Sequence, residues 1–326
     1  MEKGFYDFGT MNYIRIESRI PEREQQEILD DMKRRCDDID DLLSAFKPDS
    51  DIGRINTNAG IAAVSINAVT LRLLERALYF AEITQGSFDP TIRPAVEMWK
   101  IGSALQRIPS EQECRSAAEL VDYRCLHLNI EERTAYLEKK QQSIDLGGIA
   151  KGFAGDVIRK ELIYRGVDSA LINFGGTVLT IGRKSDGSDW KVGIQDPVSV
   201  RGKIAGSIIL NDAALVTSGV NERFFIHEGK LFHHLLDPRT CRPAESGILS
   251  VTAAGACAED LDAVTTALFI AGAKNGISMA ERLGFEVLFI NDVGNITATK
   301  EFADGRFCFT INKRPDNSGR NIQPQI

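Results

Sequence analysis

The run Ile144-Asp145-Leu146-Gly147-Gly148-Ile149-Ala150-Lys151-Gly152 carries residue types that can hold a polyanion. It reads as the end of a strand at 143–145, a glycine turn and the first turn of a helix. Glycine has no Cβ, so the backbone at Gly147 and Gly148 can take unusual angles and approach a ligand closely. A helix that starts just after such a turn aims N–H groups and a partial positive charge at whatever sits in front of it. Asp145 adds a carboxylate to that spot and Lys151 an ammonium, a combination suited to a phosphate held together with a metal cation. A purely structural strand–glycine–helix turn would use the same letters.

Three further groups could do chemistry. Asp262 and Thr266 stand four residues apart on a predicted helix and so share one face. A carboxylate and a hydroxyl are hard oxygen ligands of the kind Mg²⁺ and Ca²⁺ take, and Mg²⁺ fills its shell with waters and phosphate oxygens. The alternative is a helix start flanked by Asp262, with Thr266 bonded back to the preceding turn. In His233-His234-Leu235-Leu236-Asp237-Pro238-Arg239-Thr240, His234 is the best candidate general base among four histidines; a hydrogen-bonded structural histidine is the other reading. In Gly86-Ser87-Phe88-Asp89-Pro90-Thr91-Ile92-Arg93-Pro94, two prolines stiffen a loop in which Phe88 could stack on a ring and Asp89 accept a hydrogen bond from it. Equally, Phe88 could plug the core and Asp89 form a turn. Trp99 could cover a base or pack inside.

The elements that must position these groups follow from periodicity and capping. Thr10–Ser18 alternates as a strand. A helix from Pro21 to about Phe46 carries the apolar stripe Ile28, Met32, Ile39, Leu43 and Phe46. Its aspartates read as a solvated face, because no EF-hand spacing is present. Helices are predicted over 68–85, with Asn67 as N-cap and Gly86 as stop, and from Ser110, where Glu113 completes a capping box. A hairpin follows over 126–138, then the helix after the glycine turn, ending at Gly166. From Ser169 the chain is mostly β, with strands over 171–174, 178–182, 190–195, 204–210, 223–227, 231–236 and 249–253. Helices return over 259–271 and 274–283, and a strand over 287–291. The pattern is α+β, antiparallel sheets with helices against them. No dinucleotide-fold or P-loop glycine fingerprint is present.

Composition sets the outer limits. The chain has 326 residues, 43% hydrophobic and 26% charged, with a net charge of −7 and a pI near 5.3. That balance argues against a nucleic-acid partner, while a local cation can still serve an anionic small ligand. The six scattered cysteines form no C-x-x-C pair, which argues against thiolate zinc and fits a reducing compartment. The first residues carry no apolar leader and no run is long enough for a transmembrane helix, so a soluble, cytoplasmic protein is expected. A trimmed form of an exported protein would read the same way.

Taken together and in this order, the four groups resemble the ApbE family, flavin transferases that take FAD and attach FMN to a protein. The resemblance runs from Phe8-Gly9-Thr10 to about Gly272 and includes Leu43-Ser44-Ala45-Phe46-Lys47-Pro48-Asp49-Ser50, Arg54-Ile55-Asn56, Asn173-Phe174-Gly175-Gly176 and Thr217-Ser218-Gly219. It implies one α+β domain over residues 1–312, built from two similar lobes with the flavin between them, in a T-fold-like architecture; the polar composition from Lys313 reads separately as a disordered tail over 313–326. It implies that Asp262 and Thr266 hold Mg²⁺ with the backbone carbonyl of Gly148. Asp145, Lys151, Ser87, Phe88, Asp89 and Leu236 match flavin-contacting positions, and His234 matches the histidine that takes a proton from the acceptor. Phe8 and Phe46 stand where the family often has methionine and tyrosine, so ring packing differs and a hydroxyl is lost. Cys241 replaces the usual glycine after Asp237-Pro238-Arg239-Thr240, altering that turn or offering a reactive thiol. Many members are exported lipoproteins, but no lipobox is present here.

The implied reaction is Mg²⁺-dependent transfer of the FMN part of FAD to a Thr or Ser hydroxyl of an acceptor protein, with release of AMP. An FAD pyrophosphatase and a non-catalytic FAD-storage protein are the alternatives.

Overall fold

The computed structural model describes residues 1–200 and 202–312, and the backbone of 322–324. The chain divides into two units interleaved in sequence, Met1–Asp37, Lys151–Gly219 and Ser246–Ile326 forming one, Asp38–Ala150 and Val220–Glu245 the other. Apart from Ile322–Pro324, the tail from Lys313 lies outside the described residues. Among the described residues no helix is long and apolar enough to cross a membrane.

The first unit is built on a nine-stranded sheet. Its strand order is Glu2–Asp7, Thr10–Ile16, Ala170–Phe174, Thr177–Ile181, Ala214–Gly219, Ile248–Gly255, Glu286–Asn291, Ile296–Ala298 and Ile322–Pro324. All neighbours pair antiparallel except the last two. The first hairpin turns on Phe8 and Gly9, at φ 52° and 69°. Positive φ at both central residues is the type I′ geometry, whose twist matches that of the flanking strands. On one face, the helices Ala150–Tyr164 and Ala258–Leu283 approach through glycine. A Cβ at Gly155 would lie 2.6 Å from Leu179, and one at Gly276 would lie 2.8 Å from Phe289. The opposite face buries Leu215, Leu288, Ile290 and Ile296 with Val192, Ile194, Ala205 and Ile208. These last four come from a small sheet of Thr310–Ile311, Ile204–Ile209 and Lys191–Gln195. The helices expected over 259–271 and 274–283 are continuous except at Gly272, whose φ of 75° and ψ of 165° break them.

The second unit has helices at Asp51–Thr57, Ala68–Ile83, Arg93–Trp99 and Glu111–Ala118. A three-stranded sheet runs Val64–Ser65, Thr134–Leu137, Leu126–Asn129, and there are two ladders, Phe224–His227 with Lys230–His233 and Leu236–Asp237 with Arg242–Pro243. Trp99, Ala95, Cys114, Ala117, Leu236 and Cys241 form one buried cluster. The predicted caps are present: Asn67 accepts from the Val69 N–H, and Ser110 and Glu113 make the reciprocal capping box.

Three expectations need correction. Residues 143–145 are not a strand and make one isolated bridge, Ser143 to Ile92. The Asn56 amide takes both backbone groups of Ile144, accepting from its N–H at 2.6 Å and donating to its carbonyl at 3.0 Å, so no neighbouring strand is needed. The run 231–236 is broken after His233, because the His234 N–H turns to the Arg223 carbonyl at 3.1 Å and Leu236 joins a separate ladder. The stiff loop after Gly86 ends in a helix, with Pro94 tolerated in its first turn.

Candidate active site

In the first unit two helix starts meet. Asp262, only 3% exposed, accepts from the Gly152 N–H at 3.0 Å, and the Lys151 ammonium lies 3.2 and 3.3 Å from its two carboxylate oxygens. Gly152 is the third residue of the Ala150–Tyr164 helix, so the Asp262 carboxylate caps a helix that belongs to a segment far away in sequence. This contact explains the glycine, since a Cβ at position 152 would sit 2.2 Å from the Ala258 carbonyl oxygen. Thr266, half-buried one turn beyond Asp262, donates to the Asp262 backbone carbonyl at 3.4 Å. Thr265 does the same at 3.1 Å and accepts from Ser218 at 2.9 Å. The back-bonded threonine and the helix-flanking aspartate of the structural reading are therefore both present. They do not exhaust the donors, because a hydroxyl that donates to a carbonyl keeps its lone pairs.

These groups fit a small hard cation. A nearly buried carboxylate already holds a positive group across both oxygens, and a hydroxyl stands one turn away on the same helix. No cluster of three or more His, Cys, Asp or Glu side chains among the described residues could hold a metal alone. A site of this kind would rely on hydroxyl, carbonyl and phosphate oxygens, as Mg²⁺ does with its few carboxylates.

The glycine turn belongs to the second unit up to Ala150. Neither Gly147 nor Gly148 has a positive φ. Gly147 is needed for closeness instead: its N–H donates to Asp145 Oδ1 at 2.8 Å, and a Cβ there would lie 2.9 Å from that oxygen. The other Asp145 oxygen lies 3.5 Å from Arg93. Arg93 is 6% exposed, and its guanidinium sits 4.6 Å from the centre of the Phe46 ring and 2.8 Å from Glu97. Phe46 itself is 73% exposed, an aromatic face backed by a cation and open to a planar partner. Phe46, Asp145 and Arg93 thus form one group. Arg93 escaped the sequence reading, because a lone arginine between Ile92 and Pro94 carries no spacing signal.

Phe88 is 4% exposed and Ser87 9%, so the Phe88 ring sits inside, as in the structural reading. Asp89 is equally committed. Its Oδ1 accepts from the Thr91 N–H and hydroxyl at 2.8 and 2.7 Å, and its Oδ2 accepts from the Tyr123 N–H at 3.0 Å. Burial with only neutral donors pushes its carboxyl up to about 6.

The two adjacent histidines separate cleanly. His233 is buried, its Nε2 lies 3.2 Å from the Ala244 carbonyl, and burial lowers its pKa. His234 is half-buried, with Nδ1 3.2 Å from the Arg223 carbonyl. A carbonyl only accepts, so Nδ1 carries the proton and Nε2 of the neutral ring keeps its lone pair. Leu236 packs in the Trp99 cluster, and Phe8 lies 6.0 Å from the Phe174 ring in the first unit. Cys241 occupies a left-handed turn at φ 51°, which accounts for a glycine being usual there. Of the two alternatives for Cys241, the structure favours the altered turn over the reactive thiol, since the sulfur is fully buried and burial pushes it up to about 12.

A sequence profile of the ApbE family matches residues 8–289. The chain is similar to the FAD:protein FMN transferase of Treponema pallidum, 32% identical over 310 residues, covering 91% of this chain and 86% of that one. Among solved structures it is similar to the ApbE protein of Thermotoga maritima, at 29% identity and a TM-score of 0.85, covering 94% of this chain and 99% of that one. The flavinyl transferase ApbE of Pseudomonas stutzeri is 25% identical with a TM-score of 0.80, covering 94% and 96%. The profile match over residues 8–289 and the likeness of the fold over nearly the whole length point the same way, and the chain belongs to the ApbE family.

Proposed function

We propose that this chain, a flavin transferase by family, transfers the FMN moiety of FAD to a Thr or Ser hydroxyl of an acceptor protein in a Mg²⁺-dependent reaction that releases AMP. Residues 1–312 act as a single flavin transferase domain in this reading. The observation that carries it is Asp262, a buried carboxylate spanned by the Lys151 ammonium with the Thr266 hydroxyl one turn on. Asp262 and Thr266 would hold Mg²⁺, which when bound would neutralise charge on the diphosphate. The Lys151 ammonium, 3.2 and 3.3 Å from the two Asp262 carboxylate oxygens, would also pair with a phosphate of FAD. Phe46, backed by Arg93, offers its face to the isoalloxazine ring, with Asp145 holding Arg93 in place. Ser87, Phe88, Asp89 and Leu236 shape the second unit's side of the flavin site through packing and loop geometry.

In the reaction the acceptor hydroxyl oxygen forms a bond to the FMN-side phosphorus while the bridging P–O bond to AMP breaks. The hydroxyl proton passes to Nε2 of His234, whose Nδ1–H stays on the Arg223 carbonyl. Most of the acceleration is positioning and electrostatics, as in other phosphoryl transfers. His234→Ala therefore lowers the rate by about 10²-fold and leaves FAD affinity unchanged.

Incubation with FAD, Mg²⁺ and a Thr-containing acceptor peptide, followed by mass spectrometry, tests the reading. A peptide heavier by one FMN, with AMP released in equal amount, is the expected result. Free FMN without modified peptide would make the chain a pyrophosphatase, and unchanged FAD would make it a storage protein.

A further inference from the structure

The helix that carries Asp262 and Thr266 begins at Cys257, whose own side chain makes no capping hydrogen bond. Its first residues, Ala258 and Glu259, are 0% and 1% exposed, so water does not satisfy their N–H groups. The cap arrives from the neighbouring helix. Asp156, 6% exposed, accepts through Oδ2 from the Glu259 N–H at 2.9 Å and from the Cys257 thiol at 3.4 Å. Arg159, one turn further along Ala150–Tyr164, holds the other Asp156 oxygen at 2.8 Å and also donates to the Ala256 carbonyl. In the opposite direction, Asp262 caps Gly152 at 3.0 Å. The two helices exchange carboxylates. Each supplies the other's N-terminal cap, across a contact so close that only glycine fits at position 152.

We infer that Asp156 is a positioning residue for the metal-binding pair Asp262 and Thr266, and that Arg159 braces it. This rests on the proposed role of Asp262 as a cation ligand. With the Asp156 cap in place, the first turn of the Ala258–Leu283 helix is fixed against Ala150–Tyr164. That contact sets where the Asp262 carboxylate stands relative to Lys151 and Gly152. Without the cap the first turn frays, and the carboxylate loses the fixed anchorage from which it faces the cation. Partners that orient a metal ligand typically change metal affinity by about 10–100-fold when removed.

The test compares the full chain with Asp156→Ala, Asp156→Asn, Arg159→Ala and Asp262→Ala, titrating Mg²⁺ at saturating FAD. Asp156→Ala is expected to raise the half-saturating Mg²⁺ concentration by about 10-fold or more while changing the maximal rate less. Asp156→Asn, whose amide oxygen can accept the same donors, recovers most of that shift. A readout independent of turnover is the rise in unfolding midpoint that Mg²⁺ produces in the presence of FAD. It shrinks in Asp156→Ala and is restored in Asp156→Asn. If the unfolding midpoint falls in both Asp156 variants while the half-saturating Mg²⁺ concentration stays at the wild-type value, the positioning role is overturned. Should Asp156→Ala not fold, Arg159→Ala decides, and an unchanged Mg²⁺ half-saturation there overturns the proposal. A wild-type chain with no Mg²⁺ response overturns the metal reading and this inference with it. A wild-type response that persists unaltered in the variants overturns this inference alone.

Discussion

Asp262 in the first unit and Asp89 in the second are almost equally buried, at 3% and 7% exposure, yet they are satisfied in opposite ways. Asp89 takes three neutral donors, two from Thr91 in its own loop and one from Tyr123. No cation is among them, and burial drives its carboxyl up to about 6. Asp262 takes an N–H and an ammonium from a helix that starts more than a hundred residues earlier. One carboxylate staples a loop; the other is arranged with a positive charge as part of its surroundings. A positive partner that can be exchanged is what a metal ligand needs, and a staple with every oxygen committed is what a rigid pocket wall needs. Burial alone therefore does not tell the two carboxylates apart; the charge and origin of their partners do.

The contrast can be broken most sharply at Asp262. Asp262→Ala is expected to lower FMN transfer by about 10²–10³-fold. It also costs about 1–3 kcal/mol of stability, because the Gly152 N–H and Lys151 lose their acceptor. Transfer assays beside urea unfolding separate the two losses, and full Mg²⁺-dependent activity would refute the cation role. At Asp89 the effect is on stability and depends on pH. The unfolded carboxyl titrates near 3.8 and the folded one at about 6, so between those values the folded state binds more protons. Stability then falls as pH rises from about 4 to about 6 and stays lower above, by roughly 3 kcal/mol. Urea titrations at pH 4.5 and 7.5 should show about 2 kcal/mol of this drop in the wild type and lose it in Asp89→Asn. An equal drop in both would assign it elsewhere.

Smaller effects sharpen the helix pairing. Gly152→Ala is expected to cost about 2–3 kcal/mol, since the new Cβ meets backbone. Gly155→Ala, where the obstacle is a Leu179 methyl group that can rotate away, should cost about 1 kcal/mol. Equal costs would mean that the Gly152 contact is not tight. Ser110→Ala in the second unit should cost a similar amount, about 1 kcal/mol from loss of a solvent-facing capping box, read as a lower thermal midpoint.

The legible parts of the chain were those with local physics. The Asn67 cap, the Ser110–Glu113 box and the stop at Gly166 are written in single turns of sequence, and so is the Asp262/Thr266 spacing. Strands with clear alternation, such as Thr10–Ile16, were equally visible. What escaped depends on partners far along the chain. Residues 143–145 look extended, but Ile144 spends both its backbone groups on Asn56. Arg93 gains its role only when Phe46 and Asp145 fold around it. Asp156 looks like an ordinary helix residue until the Glu259 N–H is found on it. Pattern finds caps within one helix and is blind to caps given from one helix to another.

The buried thiols offer a way to time the two units separately. Cys36 lies at 0% exposure in the first unit and Cys241 at 0% in the second, whereas Cys308 is exposed. An alkylating reagent should mark Cys308 at once and reach the other two only when their surroundings open. Peptide mapping of the labelled chain over time would then give each unit its own opening rate, a clock built from sulfur atoms that chemistry within the folded protein leaves untouched.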